Sequence, residues 1–470
     1  MPMRWLCIAL LFVTGCTLQD DSLSRVLKRG ELVVAMRNGP TTWYEGPEGD
    51  AGPEYEMAKA FAEDLGVSLR IVPAQSIEEM FSLVEQKKVD LAASGITRLA
   101  SRETRFLFGP DYGEVRQQLV CRRGSFVPKS LSSLIERGIE IVVAAETSYA
   151  ERLSELAQTH PKLRWRALPQ GDTLALLTDV WQRKIACTVA DSTIVAAMQR
   201  FLPELVVAFD LSPPQPLAWA FPKSSKALRD RAAAWFSRFR QSGELARVME
   251  RYYGHLAMFD YVDTRRFLRA VRERLPKLRP WFEEAAKRTG FRWTLLAAQA
   301  WVESRWDPNA CSRTGVCGIM MLTRRTAKAL GIANRLDPRQ SILGGARYLA
   351  KMHRRFEGVP EPDRTWMALA AYTIGYAHIK DLRRWLREHG KADDRWAELA
   401  EALPLLMRKA VYRQLPHGYA HGIAALRYVR KIRYYEELIL QTLGEGMLAH
   451  SALRMKPNAI DGKGFIALLR

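Results

Sequence analysis

One carboxylate stands out by its setting. Glu303 lies in the run 301–308 (WVESRWDP), and a glycine-broken loop, 312–318, follows it. Upstream, Trp293, Leu296, Ala297, Ala300 and Trp301 recur at the spacing of an amphipathic helix. Pro308 is expected to end that helix, because the residue before a proline is pushed out of the α region. Glu303 then falls in the last turn, where the partial negative charge of the helix end disfavours a carboxylate. Two nearby tryptophans, Trp301 and Trp306, are expected to keep water away. Both effects raise a carboxyl pKa and suit a general acid. A lone Glu-Ser pair is more often an ordinary surface carboxylate, so the wider pattern has to decide.

That pattern is Glu-Ser-x-Trp-x-Pro, Ser312 nine residues after Glu303, then Gly315-Val316-Cys317-Gly318-Ile319-Met320 and Leu322-Thr323 at the start of a new helix. Further on come 370–375 (AAYTIG) and 418–422 (GYAHG), followed by Tyr428-Val429. In this order the motifs resemble the lytic transglycosylase family, lysozyme-like folds that cut peptidoglycan. The resemblance implies roles at the matched positions. Glu303 corresponds to the catalytic acid. Ser312 corresponds to a serine that orients the carboxyl or the sugar acetamido group, and Tyr372 to a tyrosine that hydrogen-bonds the acid. Groups around Gly318, Met320 and Met321 are expected to face the sugars, and Tyr428 to line the cleft. For both tyrosines, core packing with a satisfied hydroxyl is the competing reading.

Ordinary glycosidases need two carboxylates. Asp307 follows Glu303 by four residues, but the motif usually holds Asn there, and a loop-capping role is expected. Three positions depart from the pattern: Met321 replaces a common Gln, Thr373 a common Asn, and Ala424 stands where a Glu often precedes the late tyrosine. The first departure resembles the membrane-bound F-type subgroup, which also carries a solute-binding module ahead of the transglycosylase.

The region before residue 256 fits that order. Runs 31–36, 69–72 and 89–93 read as strands, with helices at 55–65 and after Ser76 between them, the alternation of a parallel α/β lobe. A second series is 139–144, 185–190 and 217–221. Gly95-Ile96-Thr97, Ser101-Arg102, 108–112 (FGPDY) and Ala190-Asp191-Ser192 resemble the amino-acid-type solute-binding proteins of family 3. The resemblance implies that Arg102 clamps a ligand carboxylate, a fit for a bidentate guanidinium. It also implies that Asp191 receives an ammonium, that Trp43 and Tyr44 form an aromatic wall, and that Thr97 offers a hydroxyl. Arg98-Leu99-Ala100 replaces the commoner Thr-Pro-Glu before the arginine, so a cell-wall peptide competes with a free amino acid as ligand.

The chain has 470 residues and a formal net charge of +20, which points to anionic partners. Its cations are dispersed rather than interleaved with aromatics, so a cell-wall polymer is favoured over nucleic acid. Arg4 precedes the apolar run 5–13, too short to span a bilayer and read as a secretory signal. Val13-Thr14-Gly15-Cys16 resembles a lipobox, with Cys16 lipidated after cleavage. Thr17 rather than Asp follows, which implies the outer membrane, periplasmic face. Cys311 and Cys317 either bridge the loop beside Glu303 or remain two buried thiols. No His, Cys or carboxylate set has metal-ligand spacing, and no cofactor is expected.

The expected architecture is multidomain: a two-lobed α/β periplasmic-binding-protein-like module, then a mainly α lysozyme-like transglycosylase module. The boundaries read as signal peptide 1–15, lipidated linker 16–28, solute-binding module 29–257, transglycosylase module 258–445 and tail 446–470. The expected partners are peptidoglycan glycan strands, a muropeptide or amino acid as effector, and the membrane through its anchor. The competing functions are a binding lipoprotein with a degenerate wall-binding domain, and a hydrolysing muramidase.

Overall fold

The computed structural model describes residues 22–46, 49–169 and 171–444. The signal peptide, Cys16 and the tail 446–470 lie outside the described residues. Where the end of the linker was expected, Ser22–Arg29 is a helix.

Two lobes follow. In the first, the apolar run Glu31–Met36 is a central strand, paired in parallel with Ser68–Pro73 and Leu91–Ala92. Ala220–Pro222 and Phe106–Phe108 complete the sheet, Ala220–Pro222 running antiparallel to both of its neighbours. The run 217–221, grouped by sequence with the second lobe, therefore returns to the first. Its apolar residues fit either sheet, and only the chain path decides. The second lobe is a five-stranded sheet of Trp165–Leu168, Ile141–Ala144, Cys187–Asp191, Gln117–Arg122 and Leu205–Asp210, in that order. Cys187 lies opposite Cys121 on antiparallel neighbours, and a disulfide joins them. Between the lobes, Gly113–Val115 and Gln215–Leu217 pair antiparallel as the crossing strands.

From Tyr261 onward the described chain is helical. Trp293–Ser304 is its centre, with every residue from Thr294 to Trp301 buried; the one-faced helix read from the sequence is in fact enclosed on all sides over this stretch. It packs on the long helix Gly422–Thr442. Gly422, at the start of that long helix, lets it approach the turn Leu403–Met407, since a Cβ there would lie 1.8 Å from the Leu403 carbonyl oxygen. The stretch 363–388 forms two helices, Asp363–Ile374 and Tyr376–Glu388, broken at Gly375, whose φ of 91° leaves the helical region.

The helical part rests on both lobes. Glu250, on the last helix of the first lobe, accepts from Arg430 (2.9 Å), Arg433 (3.0 Å) and the Trp396 indole (3.2 Å). Glu204 of the second lobe takes Arg265 at 2.6 Å and the Trp181 indole at 2.7 Å. Val195, Met198, Phe201 and Leu202 of the second lobe belong to the same apolar core as the helices that follow Tyr261. Among the described residues no helix is long and apolar enough to cross a membrane.

Candidate active site

Glu303 stands one residue before the end of its helix. The helix is stopped not by Pro308 but three residues earlier, by Arg305 and Trp306 in left-handed conformations, φ 56° and 58°. Buried Trp306 holds this turn by donating its indole N–H to the Ala297 carbonyl at 2.8 Å, and Arg274 caps the Trp306 carbonyl at 2.9 Å. Two non-glycine residues at positive φ are costly, and here packing fixes them. Asp307 Oδ1 accepts from the Asn309 amide at 2.9 Å, the loop-capping role expected of it.

The partly buried Glu303 carboxyl is pushed up to about 7, first by burial and against the pull of the Tyr428 hydroxyl. That hydroxyl donates to Glu303 Oε1 at 2.5 Å and accepts from Gln299 Nε2 at 3.1 Å. Gln299, Tyr428 and Glu303 thus form a short relay between two packed helices. The expectation that Tyr372 holds the acid needs correction. Tyr372 donates to the Met320 carbonyl at 2.8 Å, and its ring lies nearly parallel to that of Tyr428, 6.5 Å away. The tryptophans are also not its close neighbours in the way expected. Trp301 and Trp306 pack with each other, Phe267 and Tyr435, while Tyr428 and Tyr372 face the acid electrostatically.

The loop after the helix is fixed by its backbone. Gly318 has φ 87°, and a Cβ there would lie 1.9 Å from the Arg335 carbonyl oxygen, so no other residue fits. Met320 is buried; its amide donates to Ser341 Oγ at 3.2 Å. Met321 is half-exposed at φ 44°. Ser304 ties the helix end to the loop through the Ile319 carbonyl at 2.8 Å. Ser312 turns inward on its own loop: its hydroxyl meets Thr314 Oγ1 at 2.9 Å and the Val316 amide at 3.1 Å. It therefore shapes the loop and makes no hydrogen bond to Glu303. Cys311 and Cys317 are joined by a disulfide, and Arg335 clamps the Gly315 and Leu322 carbonyls at 2.7 Å each.

In the two-lobed part, a small pocket of about 50 Å³ lies between the lobes, lined by Arg37, Asn38, Glu54, Tyr112, Asp191 and Tyr253 among others. Of the five ligand residues expected, Asp191 alone lines it. Trp43 is buried in the first-lobe core and donates to Asp50 at 2.8 Å. Tyr44 lines a separate cavity of about 750 Å³ between the lobes and the helical part. Thr97 is buried in a backbone bridge to Leu217. Arg102 is buried against Glu151 of the opposite lobe, with Nη2 and Nε 2.8 and 3.0 Å from the same oxygen.

Two family profiles match the chain: the transglycosylase SLT domain over residues 280–396, and the bacterial extracellular solute-binding proteins, family 3, over 32–255. A membrane-bound lytic murein transglycosylase F 1 of Alkalilimnicola ehrlichii is 46% identical over 420 residues, covering 89% of this chain and 85% of the relative. The Saccharophagus degradans membrane-bound lytic murein transglycosylase F is 43% identical over 89% of this chain and 83% of its own length. That of Vibrio cholerae is 37% identical over 96% and 88%. The chain belongs to the membrane-bound lytic murein transglycosylase F family. As a member of that family it combines an α/β binding-protein fold with a helical transglycosylase fold in one polypeptide.

Several residues of this family member's site escape sequence reading. Gln299 carried a usable signal: it is the one polar side chain in the apolar stretch 295–302 and sits one turn before Glu303, on the same helix face. Arg335 and Ser341 carried none, since each acts on a loop distant from it in sequence.

Proposed function

We propose that this F-family member cleaves the MurNAc–GlcNAc bond of peptidoglycan by a single-carboxylate route that ends in 1,6-anhydroMurNAc. The observation that supports it is the state of Glu303: a carboxyl raised to about 7 by burial, with one neighbouring hydroxyl, that of Tyr428, acting against the rise. Such a group is protonated often enough at neutral pH to act as an acid, and its conjugate base is strong enough to take a proton back. Glu303 first protonates the glycosidic oxygen. The bond breaks with oxocarbenium or oxazolinium character, assisted by the sugar's own 2-acetamido group. The ionised Glu303 then removes the proton of the C6 hydroxyl of the same MurNAc as that oxygen closes on C1. Intramolecular attack outcompetes water by proximity, so no second carboxylate is required.

Tyr428 is suited to both steps: its hydroxyl donates to Glu303 Oε1 and stabilises the ionised form once the first proton has left. Tyr372 positions the Met320 carbonyl, and the 318–321 backbone and Met321 are proposed to face the sugars. Ser312 would act indirectly, by fixing the loop. Mass spectrometry of wall digests tests the reaction. Ends lighter by about 18 Da than reducing MurNAc are expected, because water is not consumed. Reducing MurNAc as the main product would overturn the route in favour of a hydrolase.

The remaining readings are proposals of the same kind. The modules are assigned to 29–257 and 258–445, and the protein is placed at the periplasmic face of the outer membrane through lipid on Cys16. The relatives' description as membrane-bound supports envelope association. Cys16→Ala should release the protein from the membrane fraction, and an unlipidated wild-type N-terminus would refute the anchor. The two-lobed module is proposed to sense a wall-derived peptide or amino acid. Its contacts with the helical part through Glu250 and Glu204 give lobe closure a path to the catalytic module, so ligand should change turnover. Equal rates with and without a demonstrated ligand would leave the modules merely joined.

A further inference from the structure

The cavity of about 750 Å³ between the lobes and the helical part is rich in charged groups, and most of them answer one another. Arg251 is joined to Glu56 at 2.7 Å, Arg292 to Glu436 at 3.0 Å, and His353 to Glu361 at 2.5 Å. Arg433 is joined to Glu250 at 3.0 Å, and Asp50 accepts from the Trp43 indole at 2.8 Å. Among the described residues of the lining, one cation and one anion are left over. Arg200 enters from the second lobe, at the end of the helix Ser192–Gln199, and Glu437 from the long helix Gly422–Thr442.

Arg200 is 2% exposed, yet no carboxylate pairs with it among the described residues. Its Nε donates to the Ala197 carbonyl at 3.2 Å and its Nη1 to His255 Nε2 at 3.0 Å, and Nη2 has no acceptor among the described residues. Both partners are uncharged: burial first, then the Arg433 and Arg200 guanidinium groups, hold the His255 imidazole well below its ordinary value. A guanidinium stays charged in a protein, and a buried charge without a counter-charge is costly. Burial holds Arg200 below its ordinary range, and Glu437 is the foremost group acting against that fall. The two nevertheless form no ion pair, and Glu437 Oε1 is buried with no hydrogen-bond partner among the described residues. A cation and an anion thus border one cavity without touching.

The volume is that of a small-molecule site, and Tyr44, Phe291 and Trp366 add aromatic surface beside the two charges. An anion alone would leave Glu437 unanswered, and a cation alone would leave Arg200 so. We propose that this cavity binds a small zwitterion, an amino acid or short peptide whose carboxylate meets Arg200 and whose ammonium meets Glu437. The cavity adjoins the interlobe pocket across Pro40, Thr41 and Tyr253, which line both, but neither Arg200 nor Glu437 lines that pocket. Because Glu437 belongs to the helical part, the site exists only where the two modules meet. Once occupied, it braces the second lobe against the helix that carries Tyr428, the hydrogen-bond partner of Glu303. The proposal does not rest on ligand binding in the interlobe pocket.

Calorimetry on the full-length protein tests this with alanine, alanylalanine, propionate and ethylamine, the last two each lacking one charge of alanine. At least one of the zwitterions should bind about tenfold or more tighter than either single-charge probe. Preference for alanylalanine would assign the site to peptides, and preference for alanine to free amino acids. Arg200→Met and Glu437→Gln should each weaken the preferred zwitterion by about tenfold or more. Without ligand, Arg200→Met should melt no lower than wild type, because it removes a buried unpaired charge. A much lower melting temperature would make Arg200 a structural residue and overturn its assignment. Zwitterion binding that survives both substitutions belongs to the interlobe pocket; it would overturn the proposal and leave the sensing role of the two lobes intact. Single-charge probes that bind as tightly as the zwitterions, or no binding by any of the four, would overturn it as well.

Discussion

Glu303→Gln separates the chemistry of the site from the cost of housing it. The Glu303 carboxyl is moved from an ordinary 4.5 to about 7, so the folded state prefers it protonated. A group raised in this way contributes its stability fully below its unfolded pKa and loses it as pH rises through the folded one. The window is therefore from about pH 4.5 to pH 7, and the displacement corresponds to about 3 kcal/mol by pH 8. This is an upper figure, because Glu303 keeps a solvent-facing edge. Glutamine has the same shape, accepts the same Tyr428 hydrogen bond and does not titrate. At pH 5 the variant and wild type should unfold within about 1 kcal/mol of each other. At pH 8 the variant should be the more stable by about 2–3 kcal/mol, while releasing no wall fragments at either pH. Urea unfolding followed by tryptophan fluorescence across this range reads the difference, with fragment release assayed in parallel. A stability difference that stays flat between pH 5 and pH 8 would refute the raised carboxyl, and retained turnover would refute its role.

Tyr428→Phe removes the hydroxyl that pulls Glu303 down; the alkaline limb of the pH–rate profile should move up by about one pH unit, with turnover falling about tenfold. An unmoved limb would dismiss the relay. Gly318→Ala forces a Cβ to 1.9 Å from the Arg335 carbonyl oxygen and should cost more than about 3 kcal/mol, seen as a lowered melting temperature and lost activity. Asp307→Asn keeps the acceptor for the Asn309 amide, so fragment release within about threefold of wild type is expected; a collapse to background would revive a second catalytic carboxylate. Replacing Cys121 and Cys187 by Ala opens a link between positions 66 apart, a cost of about 4 kcal/mol by chain entropy, against about 2 kcal/mol for the 6-residue separation of Cys311 and Cys317. Denaturation midpoints of the two double variants should rank in that order.

What could be read from the chain was what is local. The acid, the turn after it and Gly318 lie within sixteen residues, and their spacing alone sets a helix end followed by a tight loop. The helix starts at Ser76 and Thr323 were legible for the same reason, and both side chains cap their helices, accepting from the Glu79 and Thr326 amides. Tyr428 was harder, because its bond to Glu303 spans 125 positions and depends on how Gly422–Thr442 crosses the central helix. The resemblance gave Tyr372 the bond to the acid and Tyr428 only the cleft wall, and periodicity ranks neither. In the two-lobed module, Trp43, Thr97 and Arg102 were assigned by likeness to ligand-binding proteins. Their surroundings differ here: Arg102 meets a carboxylate from the other lobe, a fact that only the closed tertiary arrangement reveals. The Cys121–Cys187 pairing likewise follows from strand register, and no spacing along the chain announces it.

The seam between the two modules also bears on how such a chain can be cut, exchanged or evolved. Phe201 and Leu202 share an apolar interior with the catalytic helices, and Glu250 is answered by Arg430 and Arg433 from the other side. Severing the polypeptide near residue 257 would leave one fragment with a bare greasy face and the other with two uncompensated guanidinium groups. Neither half is then a free-standing part to be shuffled among genes. A replacement sensor would have to bring a matching apolar surface and an acid at the position of Glu250, so the two halves are bound to change together.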